Sequence, residues 1–165
     1  MTRVDAAPIL SLDEAVEQCR SWHDHGLRIV LTNGAFDLLH VGHLRYLEDA
    51  ASHADRLVVA LNTDHSVQLS KGPDRPIVPQ AERAEMIATV RCVDLVVPFD
   101  DRTVGPVLET LQPDVHAKGT DYTVASVPER AVVEAYGGRT VICGDAKDHA
   151  TTDVIATILD RFGGS

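Results

Sequence analysis

Short runs of apolar, mostly β-branched residues alternate along this chain with longer amphipathic stretches, and this alternation constrains the fold more than any other feature. It is typical of parallel strands joined by helices, because a parallel strand pair needs a long crossover connection. The strands that we predict are residues 28–32, 56–62, 94–98, 115–118 and 139–143. We therefore expect an α/β protein with a Rossmann-like, doubly wound sheet of about five parallel strands and helices on both faces.

Amphipathic periodicity and end signals predict the helices between these strands. The first helix follows Ser11, which has Glu14 three residues on as in a capping box, and it ends at Gly26. The predicted helices are residues 12–25, 41–53, 80–90, 104–111, 127–136 and 151–162. A loop containing proline and glycine is predicted over residues 70–79. The second helix is predicted to present one apolar face, made by Val41, Leu44, Leu47 and Ala51.

Length and composition predict one compact domain over residues 1–165, with an N-terminal helix at about 11–26 and an α/β core at about 27–163. The net charge of −10 argues against a general nucleic-acid binder, because such proteins need a basic face to displace counterions. We expect neither a membrane span nor a secretory leader. The cysteines form no metal-spaced pair and predict reduced thiols in a cytoplasmic protein; they are Cys19, Cys92 and Cys143.

The first predicted strand runs into a glycine-containing turn and then into a helix whose first turn carries His40 and His43. A helix start attracts phosphate through its free N–H groups and its dipole, and Gly42 leaves room for close approach. Two imidazoles three residues apart share a face and could stabilise the charge on a pentacoordinate phosphorus. The alternatives are a pair of capping or core histidines and, with less support because no third ligand lies nearby in sequence, a metal site.

The stretch TNGAFDLLHVGH resembles the signature of the cytidylyltransferase-like superfamily of α/β nucleotidyltransferases. Later segments resemble further motifs of that family in the same order: Asn62-Thr63-Asp64, then Lys71-Gly72 with Arg75-Pro76 and Arg83, then Lys118-Gly119-Thr120-Asp121-Tyr122, then Thr151-Thr152. Such an ordered set, spanning residues 10–162, is far more specific than a single motif. Within the superfamily, the resemblance is strongest to the adenylyltransferases of D-glycero-β-D-manno-heptose 1-phosphate in their stand-alone form.

The resemblance implies transfer of AMP from ATP to a heptose 1-phosphate, giving ADP-heptose and pyrophosphate, with Mg2+ held mainly by the ATP phosphates. It implies a homodimer that binds neither nucleic acid nor membrane. The implied catalytic residues are His40, His43, Lys71 and Lys118. The implied nucleotide-binding residues are Thr32, Asn33, Gly34, Ala35, Phe36, His40, Gly42, His43, Arg83, Lys118, Gly119, Asp121, Thr151 and Thr152. The implied sugar-phosphate-binding residues are Asp37, Asn62, Asp64, Lys71 and Arg75.

Chemistry alone leaves simpler roles open for several of these residues. The cations of the 71–83 segment are either a clamp for a triphosphate or a solvated surface. Thr151 and Thr152 are either phosphate ligands or helix N-caps. Asp37 and Asp64 could orient a hydroxyl or hold Mg2+, and Asp64 could instead be a helix cap.

Three positions depart from the family pattern. Ala35 stands where the heptose enzymes often have cysteine, and Ala150 stands where the family has serine. Residues 145–149 replace an Arg-Thr-Glu-Gly segment of the related cytidylyltransferases, with Lys147 as the candidate substitute for its arginine. These departures leave the nucleotide preference open, with a cytidylyltransferase or adenylyltransferase for another sugar or polyol phosphate as the alternative. A nucleotide-binding module without turnover is a second alternative, against which the intact histidine pair and the basic residues argue.

Overall fold

The computed structural model describes residues 5–145 and 150–164 of the chain. The strands are β1 (Ile29–Gly34), β2 (Arg56–Asn62), β3 (Leu95–Phe99), β4 (Val115–Gly119) and β5 (Arg139–Cys143). The helices are α1 (Leu12–Asp24), α2 (Val41–Ala51), α3 (Asp64–Lys71), α4 (Gln80–Ala88), α5 (Gly105–Leu111), α6 (Arg130–Ala135) and α7 (Thr151–Phe162). Among the described residues, no helix has the length and apolar character needed to cross a bilayer.

All five strands are parallel, and their order in the sheet is β3-β2-β1-β4-β5. The chain therefore starts at the centre, winds to one edge, and then returns to the other side of β1. The winding direction reverses between β1 and β4, where Thr32 of β1 lies opposite Ala117 of β4. Open α/β sheets bind their ligands at this switch point, beyond the carboxyl ends of the strands. The predicted Rossmann-like sheet is confirmed.

Successive strand side chains point to opposite faces of the sheet, and helices pack on both faces. On one face, Val30, Val59 and Ala117 join a core that α2 and α4 complete. On the other face, Leu31, Val58 and Val97 join a second core that α1 and α5 complete. This explains why β2 and β3 carry continuous apolar runs instead of an alternating pattern. The predicted placement of helices on both faces is also confirmed.

The predicted helix over residues 127–136 is wrong in its first three residues. A short 3-10 turn covers Val124–Ser126, and α6 begins only at Arg130. Val127 has an extended backbone, with φ −67° and ψ 119°. The ring of Pro128 disfavours helical geometry for the residue before it, which is the physical reason for the late start.

Two further details of the helices differ from expectation. Helix α3 was not predicted; it is capped by Thr63, whose hydroxyl accepts the backbone N–H of Ser66 at 3.1 Å. The apolar face predicted for α2 is wrong at its start, because Val41 and Leu44 are 42% and 40% exposed while Leu47 is buried. The first turn of α2 borders a cleft, so only its later turns cover the sheet.

Candidate active site

A cleft of about 520 Å³ opens at the carboxyl edge of the sheet, beside the switch point. Three groups of residues line it. The start of α2 and the loop after α3 contribute His40, Gly42, His43, Arg45, Tyr46, Lys71 and Arg75. The ends of β4 and β5 contribute Gly119, Thr120, Asp121, Cys143, Gly144 and Asp145. The start of α7 contributes Ala150, Thr151 and Thr152.

The histidine pair stands at the first turn of α2, on the wall of this cleft. His40 is the N-cap residue, with an extended backbone, and the two imidazole rings lie with their centroids 3.9 Å apart. The backbone N–H of His40 donates to Nδ1 of His43 at 3.3 Å. Because Nδ1 accepts, the proton of a neutral His43 lies on Nε2, where it can be donated to a ligand.

His43 is neutral at physiological pH. Burial, together with the neighbouring His40 and the charge of Lys71, lowers the pKa of His43 to about 4, although Asp37 opposes the shift. A group with this pKa binds a phosphate oxygen as a hydrogen-bond donor without gaining a formal charge. The imidazole is thus suited to charge stabilisation by a fixed dipole, and the N–H groups at the start of α2 add to this effect.

Asp37 connects the loop after β1 to the loop after α3. Its carboxylate is 1% exposed and accepts Nε of Arg75 at 2.9 Å and the backbone N–H groups of Ile77 and Val78 at 2.8 and 2.9 Å. Burial pushes the pKa of Asp37 upward, but these N–H groups and the Arg75 charge outweigh it, so the pKa lies below its usual range. The Asp37 carboxylate therefore bonds to other parts of the protein, and Asp37 does not line the cleft.

Arg75 faces the cleft with part of its guanidinium. Nε is held by Asp37, whereas Nη2 is buried and has no hydrogen-bond partner within the described part of the chain. A buried unsatisfied donor in a native structure needs a partner, and a bound anion would supply one. Lys71 and Arg45 also line the cleft, so cations converge there although the whole chain carries a net charge of −10.

The first turn of α7 also faces the cleft. Its N-cap residue is Ala150, which has no side-chain acceptor, so the capping alternative for Thr151 and Thr152 does not describe them. The hydroxyl of Thr151 donates to the backbone carbonyl of Asp37 at 3.0 Å. The starts of α2 and α7 therefore meet at one cleft, and both bring a positive dipole end to it.

Three predicted ligands lie behind the cleft wall instead of lining it. Arg83 is fully buried; it pairs with Asp64 at 2.7 Å and donates to the carbonyls of Val78 and Ala35. Asn62 donates to the Ser66 hydroxyl at 2.8 Å. None of these side chains is in the cleft lining. Their bonds connect the turn after β1, the start of α3 and the segment before α4.

Thr32 and Asn33 end β1 beneath the cleft. The Thr32 hydroxyl bonds to the phenol of Tyr46, which itself donates to the carbonyl of Ala117 at 2.9 Å and so bridges the switch point. Asn33 Oδ1 lies 3.1 Å from Nε2 of His116. Burial and the charge of Lys118 lower the pKa of His116 to about 3, so His116 is neutral.

The turn after β1 has a tight backbone. Phe36 and Leu38 both have a φ of 49°, in the left-handed region that side chains disfavour, and this is where functional sites store strain. The Phe36 ring lies 5.5 Å from the His43 ring. A Cβ on Gly34 would come within 3.1 Å of the same ring, which explains the glycine. Ala35 accepts from Arg83 through its carbonyl, a contact that needs no particular side chain.

Lys118 turns away from the cleft although its neighbour Gly119 lines it. Its Nζ lies 4.7 Å from the centroid of the Tyr122 ring and 3.9 Å from Glu129 Oε2. Burial lowers the pKa of Lys118, and Glu129 opposes this shift. The ammonium group thus lies beside the end of β4, apart from the histidine pair.

Residues 31–160 match the family model described as cytidylyltransferase-like. The chain belongs to the cytidylyltransferase-like family. Membership confirms the resemblance, and with it the nucleotidyltransferase class at the level of the family. The site residues that line the cleft lie within the matched segment.

Curated relatives agree with this assignment. The chain is 44% identical to the bifunctional protein HldE of Gluconobacter oxydans over 151 residues, which are 92% of this chain and 32% of that protein. It is 48% identical to the bifunctional protein HldE of Geobacter sulfurreducens over 138 residues, which are 84% of this chain and 28% of that protein. The chain therefore spans about a third of the length of these relatives.

A solved structure supports the fold alone. The lipopolysaccharide core biosynthesis protein from Thermoplasma volcanium superposes with a TM-score of 0.64 at 24% identity, covering 74% of this chain and all of that one. At this identity the likeness establishes a shared α/β architecture.

Several cleft residues were not predicted from the sequence, and most of them lie at strand ends. Cys143 closes β5 and Gly144 follows it with a φ of 92°. Arg45 pairs with Asp145 at 3.0 Å across the mouth of the cleft. The rule that ligands bind beyond carboxyl ends of strands could have indicated Cys143 and Gly144. Lys147, the candidate substitute for a family arginine, lies outside the described residues.

Proposed function

We propose that this protein transfers AMP from ATP to a heptose 1-phosphate, releasing pyrophosphate and giving ADP-heptose. The observation that carries the proposal is the convergence of two helix starts, two histidines and the side chains of Lys71 and Arg75 on one cleft. Such a site suits a triphosphate, because it offers N–H donors, dipole ends and cations to the phosphates. The heptose comes from the motif resemblance, and the identity with bifunctional HldE proteins supports that subgroup.

The reaction is an in-line displacement. An oxygen of the sugar phosphate attacks the α-phosphorus of ATP, the new P–O bond forms, and the bond to the bridging oxygen of pyrophosphate breaks. The attacking phosphate is already ionised, so no general base is required. The protein's part is to position both phosphates and to stabilise the charge of the transition state.

Roles for the lining residues follow from their chemistry. Nε2–H of His43 donates to the α-phosphate oxygens, and His40 packs beside it at the start of α2. Arg75 offers its guanidinium and Lys71 its ammonium to the leaving pyrophosphate. The first turn of α7 offers N–H groups and the Thr152 hydroxyl to the same phosphates. We assign Asp37, Asp64 and Arg83 to holding these loops in place.

Magnesium fits this cleft as an ion held chiefly by the nucleotide. Mg2+ prefers oxygen ligands and keeps several waters, and the carboxylates in the lining are those of Asp121 and Asp145. When bound, Mg2+ would neutralise charge on the phosphates as pyrophosphate departs. Of these two carboxylates, that of Asp145 pairs with Arg45 at 3.0 Å.

We further propose that the chain acts as a single domain in a cytoplasmic homodimer. An apolar stripe on α7 supports dimerisation, since Ile158, Leu159 and Phe162 are 48%, 63% and 75% exposed. A second copy covering this stripe would bury it, as a large amphipathic face requires. Light scattering should give the mass of two chains, and Leu159→Glu should give one; a monomeric parent protein would contradict the dimer.

A substrate panel tests the reaction. Pyrophosphate release is measured with ATP, CTP and GTP against both anomers of D-glycero-D-manno-heptose 1-phosphate and against glycerol 3-phosphate. We expect release with ATP and one heptose anomer. Preference for CTP would instead indicate a cytidylyltransferase. Binding of ATP without release across the panel would indicate a non-catalytic nucleotide-binding module.

A further inference from the structure

Three potential metal ligands lie together beside the cleft, at the opposite end of α2 from the histidine pair. Asp49 stands in the last turns of α2, His53 follows the helix, and Cys143 is the last residue of β5. One ligand atom from each lies within 4.8 Å of the other two. Asp49 Oδ1 and His53 Nε2 are 3.8 Å apart. We call these residues the Asp49–His53–Cys143 cluster.

Metal bonds of about 2.0–2.3 Å place neighbouring ligand atoms of a tetrahedral site about 3.3–3.7 Å apart. The 3.8 Å between Asp49 and His53 is close to this range, and the other separations, which are within 4.8 Å, shorten as the side chains close on the ion. The other oxygen of Asp49, Oδ2, accepts the backbone N–H of Gly144 at 2.7 Å. This bond orients the carboxylate and leaves Oδ1 as the ligand, as second-shell bonds do in metal sites.

Accessibility also suits an ion. The Cys143 residue is 1% exposed, whereas the side chains of His53 and Asp49 are 29% and 46% exposed. An ion would therefore enter from solvent, bind the buried sulfur on its inner side and keep a water on its outer side. Three protein ligands and one water form a familiar arrangement for zinc.

We propose that Asp49, His53 and Cys143 bind a thiophilic divalent cation, Zn2+ or Co2+, with water as the fourth ligand. Thiolate and imidazole select these ions over Mg2+, which takes oxygen ligands. On binding, the thiol proton of Cys143 passes to solvent and a metal–sulfur bond forms, with no change of oxidation state. This site is separate from the magnesium that accompanies ATP.

An ion bound by the Asp49–His53–Cys143 cluster would connect helix α2 with the end of β5. Cys143 and Gly144 line the cleft, and α2 carries the histidine pair at its other end. An ion held by all three residues ties the end of α2 to the end of β5. Because the ion binds the folded chain and not the unfolded one, it should raise the melting temperature in proportion to the logarithm of its concentration.

Titration of the purified full-length chain with Co2+, without ATP or Mg2+, tests this site. We expect one Co2+ per chain, a thiolate-to-cobalt charge-transfer band, and displacement of that band by one equivalent of Zn2+. Cys143→Ala should remove the band. His53→Ala should weaken Co2+ binding by more than about tenfold, since one of three ligands is lost. His65→Ala is the matched control, because His65 is a surface histidine that also faces a carboxylate, that of Asp100.

The controls separate this site from other places that hold metal. His43→Ala should keep the band, because cobalt at the cleft histidines lacks a thiolate ligand. No band in the parent protein would overturn the proposal, as would a band that survives Cys143→Ala. Equal affinity in His53→Ala and the parent would also overturn it. If Cys143→Ala does not fold, the half-buried His53 position still decides the outcome.

Discussion

Replacing Asp37 by asparagine should destabilise the fold strongly although the shape of the side chain is kept. The Asp37 carboxylate is 1% exposed and accepts three N–H donors, one of them from Arg75. An asparagine amide turns an NH2 group toward these donors, so at least one charge-assisted bond is lost and one buried donor is left unsatisfied. Each such bond contributes about 1.5–3 kcal/mol, so we expect a loss of about 2–4 kcal/mol in the free energy of unfolding.

This loss should appear as a fall of about 5–15 °C in Tm for a chain of this size. Urea denaturation at pH 7 measures the free energy directly. Asp74→Asn is the matched control, since Asp74 is an exposed acid in the same loop, and it should change stability by less than about 0.5 kcal/mol. Asp37→Asn should also raise KM for ATP, because the loop that carries Arg75 is less well held.

The effect of Asp37→Asn on the free energy of unfolding should change with pH in a defined direction. The pKa of Asp37 is lower in the folded protein than in the unfolded chain, where it is about 3.9. Its stabilisation is therefore complete above pH 5 and is lost as pH falls through the folded pKa. The stability difference between parent and Asp37→Asn should stay constant from pH 5 to pH 8 and shrink below pH 4. A variant within 0.5 kcal/mol of the parent at pH 7, or a difference that grows on acidification, would refute the role given to Asp37.

Three further changes test other parts of the site. His116 stays neutral in the folded protein down to about pH 3, whereas in the unfolded chain it takes up a proton below about pH 6.5, so stability falls as the pH is lowered between these values. His116→Gln should reduce this loss of stability, by about 1.4 kcal/mol per pH unit at most. An unchanged slope in urea melts would contradict this. Tyr46→Phe removes the bridge from Thr32 to Ala117 and should cost about 1–2 kcal/mol in the same melts, with no loss as the contrary result. Lys71→Met should raise KM for ATP about tenfold with Tm unchanged, since Lys71 is exposed at the cleft; an unchanged KM would remove it from the phosphate site.

Much of the fold could be predicted because its signals are local. The strands read as apolar β-branched runs, and β2 and β5 have the predicted bounds. Helix α7 also has its predicted bounds, although none of its residues is buried, since its periodic pattern is intact. The missed helix α3 is eight residues long and mostly polar, so it depends on its Thr63 cap and on packing by Val67. Such tertiary support leaves little trace in sequence.

The candidate site could be predicted in part. His40 and His43 follow from the strand–turn–helix pattern, but the separation of cleft residues from supporting residues does not. Arg83 reads as a surface cation until the structure shows it buried between two loops. Sequence spacing reports which residues share a face, whereas side-chain direction at loop ends depends on long-range bonds such as those of Asp37.

Pyrophosphate release by His43→Ala, compared with the parent protein at saturating ATP and heptose 1-phosphate, tests most directly whether this cleft is a site of nucleotidyl transfer. Loss of one fixed donor to the transition state should lower kcat by about 10²–10³-fold. The Tm should change little, because the Nδ1 contact to His40 is a single half-buried bond. A folded His43→Ala protein that releases pyrophosphate at the parent rate would contradict the assignment of this cleft.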